Sequence, residues 1–263
     1  MRGDTLHFTR DVAARAGSIL LRGFRSAETV VSYKSRTNLV TNMDRASEEF
    51  LFNEIGRMFP EDTIIAEEGS RKETTGEYIW YVDPLDGTNN YAHGLPFFCV
   101  SIGLFSRIKG KIVSGVVYNP FLGEMFWASE GCGAFLNNSP IKVSAIDDIG
   151  ISLVATGFPY DKETIEKNNI REFNQMLPKI QGIRRMGSAA IDLCYVACGR
   201  LDGYWEQQLS PWDTAGGSIV VEEAGGKVTR FGGGAFKPET PEILASNGRI
   251  HGQMMDILAR AAK

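Results

Sequence analysis

The chain has 263 residues, 43% hydrophobic and 23% charged, with a formal net charge of −4 at pH 7. That length buries a large core, as one big α/β unit or two tightly joined halves, and the composition is that of a globular protein. The weakly acidic balance offers no basic footprint for nucleic acid or an anionic membrane, so an anionic substrate must be drawn in by local charge.

Met1 to His7 contains no uninterrupted apolar segment, and no later apolar run is long enough to span a bilayer. A cytoplasmic protein without membrane contact is expected. Residues about 5–24 read as a helix, because Phe8, Val12, Ala16, Ile19 and Leu20 recur at helical spacing. A second helix is predicted at about 44–58, capped by Asp44, with Ala46, Phe50, Leu51, Ile55 and Met58 as its apolar stripe.

Strands follow at about 63–66 and 78–82, the latter apolar on both faces and so buried. Pro84 lacks an amide hydrogen and should stop that strand at Asp83. Segments 98–105, 112–119 and 124–129 read as consecutive strands, the last two joined by the turn Asn119-Pro120-Phe121-Leu122-Gly123.

The second half alternates: a strand near 151–156, a helix near 162–177, a strand near 183–186, a helix near 188–199 and a strand near 203–206. A helix near 213–224 closes on Gly225-Gly226, and a strand near 242–245 and a helix near 249–262 end the chain. Gly232-Gly233-Gly234 reads as a hairpin tip, and Cys194 and Cys198, one helical turn apart, as small core residues. With Cys99 and Cys132 they form no CxxC pair, and three histidines give no zinc spacing. The fold class is α/β, with layered sheets covered by helices. One compact unit over 1–263 is expected, with a mostly antiparallel N-terminal half (1–145) and an α/β C-terminal half (146–263).

Carboxylates stand where two of the apolar runs stop. Glu67-Glu68 follows Ile64-Ile65-Ala66, and Asp83-Pro84-Leu85-Asp86-Gly87-Thr88 follows Ile79-Trp80-Tyr81-Val82. A further acid, Asp213, lies in Pro211-Trp212-Asp213-Thr214. Carboxylates converging on one site repel strongly unless cations sit between them. Oxygen-only ligands suit Mg²⁺, which in turn suits phosphate chemistry. Asp83 and Asp86, three residues apart around a bend, can converge on one ion. Gly87 allows close backbone approach, and Gly87-Thr88 can open a helix whose free N–H groups cradle a phosphate. Alone, Asp-x-x-Asp-Gly is more often an Asp-capped turn, common in α/β proteins, than a functional site.

The combination is more specific. Trp80-Tyr81-Val82-Asp83-Pro84-Leu85-Asp86-Gly87-Thr88-Asn89-Asn90-Tyr91 resembles the first signature of the inositol monophosphatase family. Trp212-Asp213-Thr214-Ala215-Gly216-Gly217 through Glu223-Ala224-Gly225-Gly226 resembles its second, and Ala66-Glu67-Glu68 and Asn38 to Asp44 keep the family's order and spacing. The resemblance spans nearly the whole chain. It implies a layered αβαβα sandwich of the sugar-phosphatase type, two or three Mg²⁺ ions, lithium sensitivity and a homodimer.

Residue by residue, the resemblance implies that Glu67, Asp83 and the Leu85 carbonyl hold one Mg²⁺. Asp83, Asp86 and Asp213 would hold a second, and some members bind a third weakly through Glu67 and waters. The amides of Gly87 and Thr88 would take the phosphate, while Thr88, oriented by Asp44, would help deprotonate a metal-activated water for direct in-line attack. Gly187, Ser188 and Ala189 match the sugar-side loop, and Glu206, with Asp213, would complete substrate binding as the hydroxyl-reading acid. Lys34 matches a basic position that steers phosphate, a plain surface lysine being the alternative. Glu68 is an acid behind the site or a solvated neighbour, and His93 a turn residue.

The function these imply is Mg²⁺-dependent hydrolysis of inositol 1-phosphate or a similar small polyol phosphate. Rivals within the superfamily are dual fructose-1,6-bisphosphatase activity and the nucleotide 3′-phosphatase and histidinol-phosphatase activities. Some bacterial relatives act with the transcription or ribosome machinery, so a regulatory protein with secondary catalysis is a further reading. A structural calcium protein fits poorly, because calcium loops gather their ligands locally and these acids run from residue 67 to residue 213.

Overall fold

The computed structural model describes residues 5–261. Helix α1 (Thr5–Gly23) leads through a hairpin of β1 (Val31–Tyr33) and β2 (Leu39–Thr41) into α2 (Asn42–Met58). Then come β3 (Thr63–Ala66), β4 (Arg71–Lys72), β5 (Tyr78–Asp86) and the short α3 (Thr88–Ala92). An antiparallel run follows: β6 (Cys99–Ser106), β7 (Lys111–Asn119), β8 (Glu124–Ser129), β9 (Ala134–Leu136) and β10 (Ser139–Ile141). The second half comprises β11 (Leu153–Thr156), α4 (Ile170–Met176), β12 (Gly182–Arg184), α5 (Ala189–Ala197) and β13 (Gly203–Gln207). It ends with α6 (Pro211–Glu223), β14 (Lys227–Thr229), β15 (Glu242–Ser246) and α7 (His251–Ala261).

Eight strands form one sheet in the order β10-β9-β8-β7-β6-β5-β3-β4, antiparallel except where β3 runs parallel to β5. Five form a second, β12-β11-β13-β15-β14, in which β11 is parallel to both its neighbours. Strand alternation then sorts the core into layers. Trp80 and Val82 of β5 face α1 and α2, meeting Val12, Ala16, Leu20, Leu51 and Ile55. Tyr81, between them, faces the opposite way, into a cluster with Leu193 and Val196 of α5 and Ala215 and Ile219 of α6. Tyr204 and Ala245 of the second sheet close that cluster from the far side. Trp205 and Leu244, their immediate neighbours in the two strands, pack outward against Met176 of α4 and Met254 and Leu258 of α7. The layer order is therefore αβαβα.

Glycine sets the spacing of the middle layer. A Cβ at Gly115 of β7 would fall 2.3 Å from the Gly216 carbonyl of α6. Backbone-to-backbone approach of this kind brings α6 down onto the first sheet, and with it Asp213 in its first turn.

Several boundaries differ from the sequence reading. The helix expected over 162–177 is confined to Ile170–Met176. Asn169 sits at φ 67°, fully buried, with its amide donating to Thr156 Oγ1 and the Gly157 carbonyl and its oxygen accepting from Trp205 Nε1. That lock forbids a helix running through it. The strand at 78–82 is not stopped by Pro84. It resumes at Asp86, paired with Cys99, after a register shift, so Pro84 occupies an irregularity, where a missing amide hydrogen is tolerated. Thr41, not Asp44, caps α2: its hydroxyl accepts from the Asp44 amide, and Asp44 Oδ2 accepts from the Thr41 amide. The short strands β1, β2, β4, β9, β10 and β14 are additional. Gly225, at φ +86°, terminates α6 as expected. The expected last helical residue, 262, lies outside the described residues. Among the described residues no helix is long and apolar enough to cross a membrane.

Candidate active site

Because β3 and β5 are parallel, their carboxyl ends deliver Glu67 and Asp83 to one edge of the sheet. The Glu67 amide donates to the Val82 carbonyl at 3.2 Å. Buried Glu48 of α2 accepts the Glu68 and Ser70 amides at 2.6 and 2.8 Å, fixing the turn that follows. Asp83 Oδ1 accepts the Leu85 amide at 2.9 Å, bending the chain around Pro84. Asp86 then reaches α5, where its Oδ2 accepts from Ser188 Oγ at 2.6 Å and the Ala190 amide at 2.8 Å. Asp213 Oδ2 accepts the Ser210 amide at 2.7 Å, closing the start of α6.

All four acids line one cavity of about 720 Å³. Glu67 and Asp83 act directly on each other, and Asp83 resists ionising while Glu67 is charged. Burial, then the charges of Glu67, Asp86 and Asp213, pushes Asp83 well above the usual carboxylate range. Burial likewise raises Glu67, lifts Asp86 to about 6, and raises Asp213 with help from Glu67 and Asp86. Among the described residues no three His, Cys, Asp or Glu tips are posed as a ready-made metal cage. The donor set is nevertheless all oxygen, the chemistry of a hard cation that retains several waters. Nearby Cys99 stays a thiol, raised by burial and then by Asp86 and Asp83, with its sulfur 3.9 Å from Asp86 Oδ2.

Beside the acids, the Thr88 hydroxyl lies 3.0 Å from Asp44 Oδ1 and 3.0 Å from the Leu85 carbonyl. Asp44 is fully buried, which lifts its pKa to about 6 despite hydrogen bonds from Thr41 and Thr88. Gly87, at φ +89°, has no room for a side chain, since a Cβ would sit 2.6 Å from the Phe97 carbonyl. Lys34, on the β1–β2 turn, contacts Glu67 at 3.3 Å and also Glu68. His93 is the residue closing α3.

On the opposite wall, Glu206 at the end of β13 accepts a hydrogen bond from Tyr204, and burial raises it to about 7. A Cβ at Gly157 would lie 2.1 Å from Glu206 Oε2, so glycine there makes room for the carboxyl. Gly187, Ser188 and Ala189 line the cavity, but the Ser188 hydroxyl is committed to Asp86. Asp192, Arg185 and Tyr160 also line it and were not singled out from the sequence. Asp192 had one legible signal, a lone acid in the otherwise apolar run Ala189–Ala197.

The model of the inositol monophosphatase family matches residues 3–263. This chain belongs to the inositol monophosphatase family. Family members are phosphoric monoester hydrolases, and this enzyme shares their fold. A Synechocystis protein named inositol-1-monophosphatase is 42% identical over 255 residues, covering 97% of this chain and 88% of that protein. The solved inositol monophosphatase of Anabaena (Nostoc) superposes with a TM-score of 0.87 at 43% identity, over 97% of this chain and 95% of that one. An Escherichia coli protein named Nus factor SuhB is 40% identical over 240 residues, covering 90% of this chain and 89% of its own.

Proposed function

We propose that this family phosphatase is Mg²⁺-dependent and hydrolyses inositol 1-phosphate, or a similar small polyol phosphate, to inositol and phosphate. The observation that carries this reading is the gathering of Glu67, Asp83, Asp86 and Asp213 on one cavity beside the Thr88–Asp44 pair. Glu67, Asp83, Asp86, Asp213 and the Leu85 carbonyl would hold two Mg²⁺ ions, with Asp83 shared, and Glu67 a weaker third. When bound, Mg²⁺ would neutralise phosphate charge and supply an acidified water for in-line attack.

The chain's own groups do the rest. Thr88 Oγ accepts the proton of the attacking water while passing its own to Asp44 Oδ1, 3.0 Å away. A carboxyl poised at about 6 is a competent acceptor near neutrality. The Gly87 and Thr88 amides orient the phosphate, and the Gly187–Ala189 loop and Glu206 receive the polyol. Lithium sensitivity and a homodimer belong to the same proposal.

Phosphate release measured with Mg²⁺ over inositol 1-phosphate, fructose 1,6-bisphosphate, 2′-AMP, histidinol phosphate and adenosine 3′,5′-bisphosphate tests it. Turnover of inositol 1-phosphate above the others supports it; comparable release from fructose 1,6-bisphosphate favours dual specificity. No release from any of them overturns it. The similarity to the SuhB protein motivates a second reading, a regulatory role in the transcription machinery alongside catalysis. Pull-down of transcription factors by a turnover-dead variant tests that role.

A further inference from the structure

We propose that Asp192 is a second hydroxyl-reading residue of this cavity, paired with Glu206, so that together they select a leaving group carrying two neighbouring hydroxyls. The inference rests on the phosphatase reading above and adds a residue to it. Asp192 projects from α5 one turn after its Ser188 cap, in a helix whose Ile191, Leu193, Cys194 and Val196 fill the core between the sheets. Only 1% of it is exposed, yet it lines the cavity wall, and its Oδ1 is sealed from solvent without a hydrogen-bond partner. Buried polar oxygens are normally paired, and an orphan at a cavity wall is one that a ligand can satisfy.

The surroundings define the ligand. Asp192 shares the cavity lining with Glu206 and Asp86, and after burial the charges of these two acids act on it most, opposed by Arg185. Tyr204 already donates its hydroxyl to Glu206 and leaves Asp192 unserved. Two carboxyls lining one cavity offer two acceptors to O–H donors of a bound polyol. Arg185, on the same cavity wall, opposes the charge of both acids.

The test measures kcat/KM with Mg²⁺ for the parent, Asp192→Leu and Glu206→Met, on inositol 1-phosphate and on propyl phosphate. Each variant is expected to lower the preference for inositol 1-phosphate over propyl phosphate by about tenfold, mainly through KM. A folded Asp192→Leu protein whose preference stays within about twofold of the parent's overturns the inference, whereas the phosphatase reading survives. Should circular dichroism show that Asp192→Leu does not fold, the parent is assayed on monodeoxy inositol 1-phosphates. Penalties at two adjacent hydroxyls support the pair, and a penalty at one or none overturns it. A parent that releases phosphate from neither substrate sinks both this inference and the proposed function.

Discussion

Replacing Asp83 by asparagine should make the metal-free protein more stable while lowering kcat by orders of magnitude. Asp83 is 1% exposed, and its Oδ1 accepts the Leu85 amide, a bond that asparagine Oδ1 preserves. The charge of Glu67 is among the causes that hold Asp83 raised; an asparagine NH₂ would instead donate to the Glu67 carboxylate. Two charges roughly 5 Å apart at an effective dielectric near 20 repel by about 3 kcal/mol, and partial protonation reduces that. A net gain of about 1–3 kcal/mol is expected in EDTA. An acid whose folded pKa is raised costs the fold more as pH climbs past its ordinary value near 3.8, so the gain should grow as pH rises from there.

Millimolar Mg²⁺ should reverse the order. Ligand at a hundredfold over its Kd adds about 2.7 kcal/mol to the parent, and the variant should lack most of that increment. Urea unfolding of both proteins, in EDTA and in Mg²⁺, reads all of these quantities. An asparagine variant less stable than the parent in EDTA, or gaining the parent's full Mg²⁺ increment, would refute the reasoning.

Other perturbations reach separate parts of the account. Thr88→Val keeps the side-chain shape but removes the hydroxyl between Asp44 and Leu85, and kcat should fall about a hundredfold with Mg²⁺ binding retained; a loss of only a few-fold in a steady-state assay argues against the proton path. Buried His251, bonded to Thr229 and Ser246, is held down at about 4 by burial and then by Lys227. A folded pKa below the ordinary 6.5 favours the neutral ring, so its stabilisation is complete above about pH 6.5 and lost as pH falls towards 4. From about pH 7.5 to about pH 5 the parent should lose about 2 kcal/mol relative to His251→Gln, and an unchanged difference in urea unfolding contradicts this. Gly115→Ala places a methyl 2.3 Å from the Gly216 carbonyl and should cost about 1–3 kcal/mol in the same assay; unchanged stability would mean that α6 can lift off the sheet.

What could be read from the chain divides by physical cause. Helix α1 announces itself through helical periodicity, and the strand around Trp80 through an apolar run, because the first buries one face and the second both. Glu67 and Asp83 stand out because they end apolar runs at the carboxyl edge of the sheet. The 157–169 segment misleads, because its structure is dictated by one buried asparagine bonded to three distant groups, and no local pattern encodes that. Thr41 and Asp44 exchange roles because both are good cap residues, and only the reciprocal bonds decide between them. The β1 strand is exposed along its whole length and carries no alternation to detect. Arg185 and Tyr160 reach the cavity from irregular or short segments, whose side-chain directions follow from tertiary packing.

Isothermal titration of Mg²⁺ into the metal-free protein bears most directly on the claim that Glu67, Asp83, Asp86 and Asp213 form a cation-binding cluster. The parent should bind at least two ions, and Asp83→Asn should lose that binding while its circular dichroism spectrum is unchanged. Absence of Mg²⁺ binding by the parent, or full binding by the folded variant, would contradict the account.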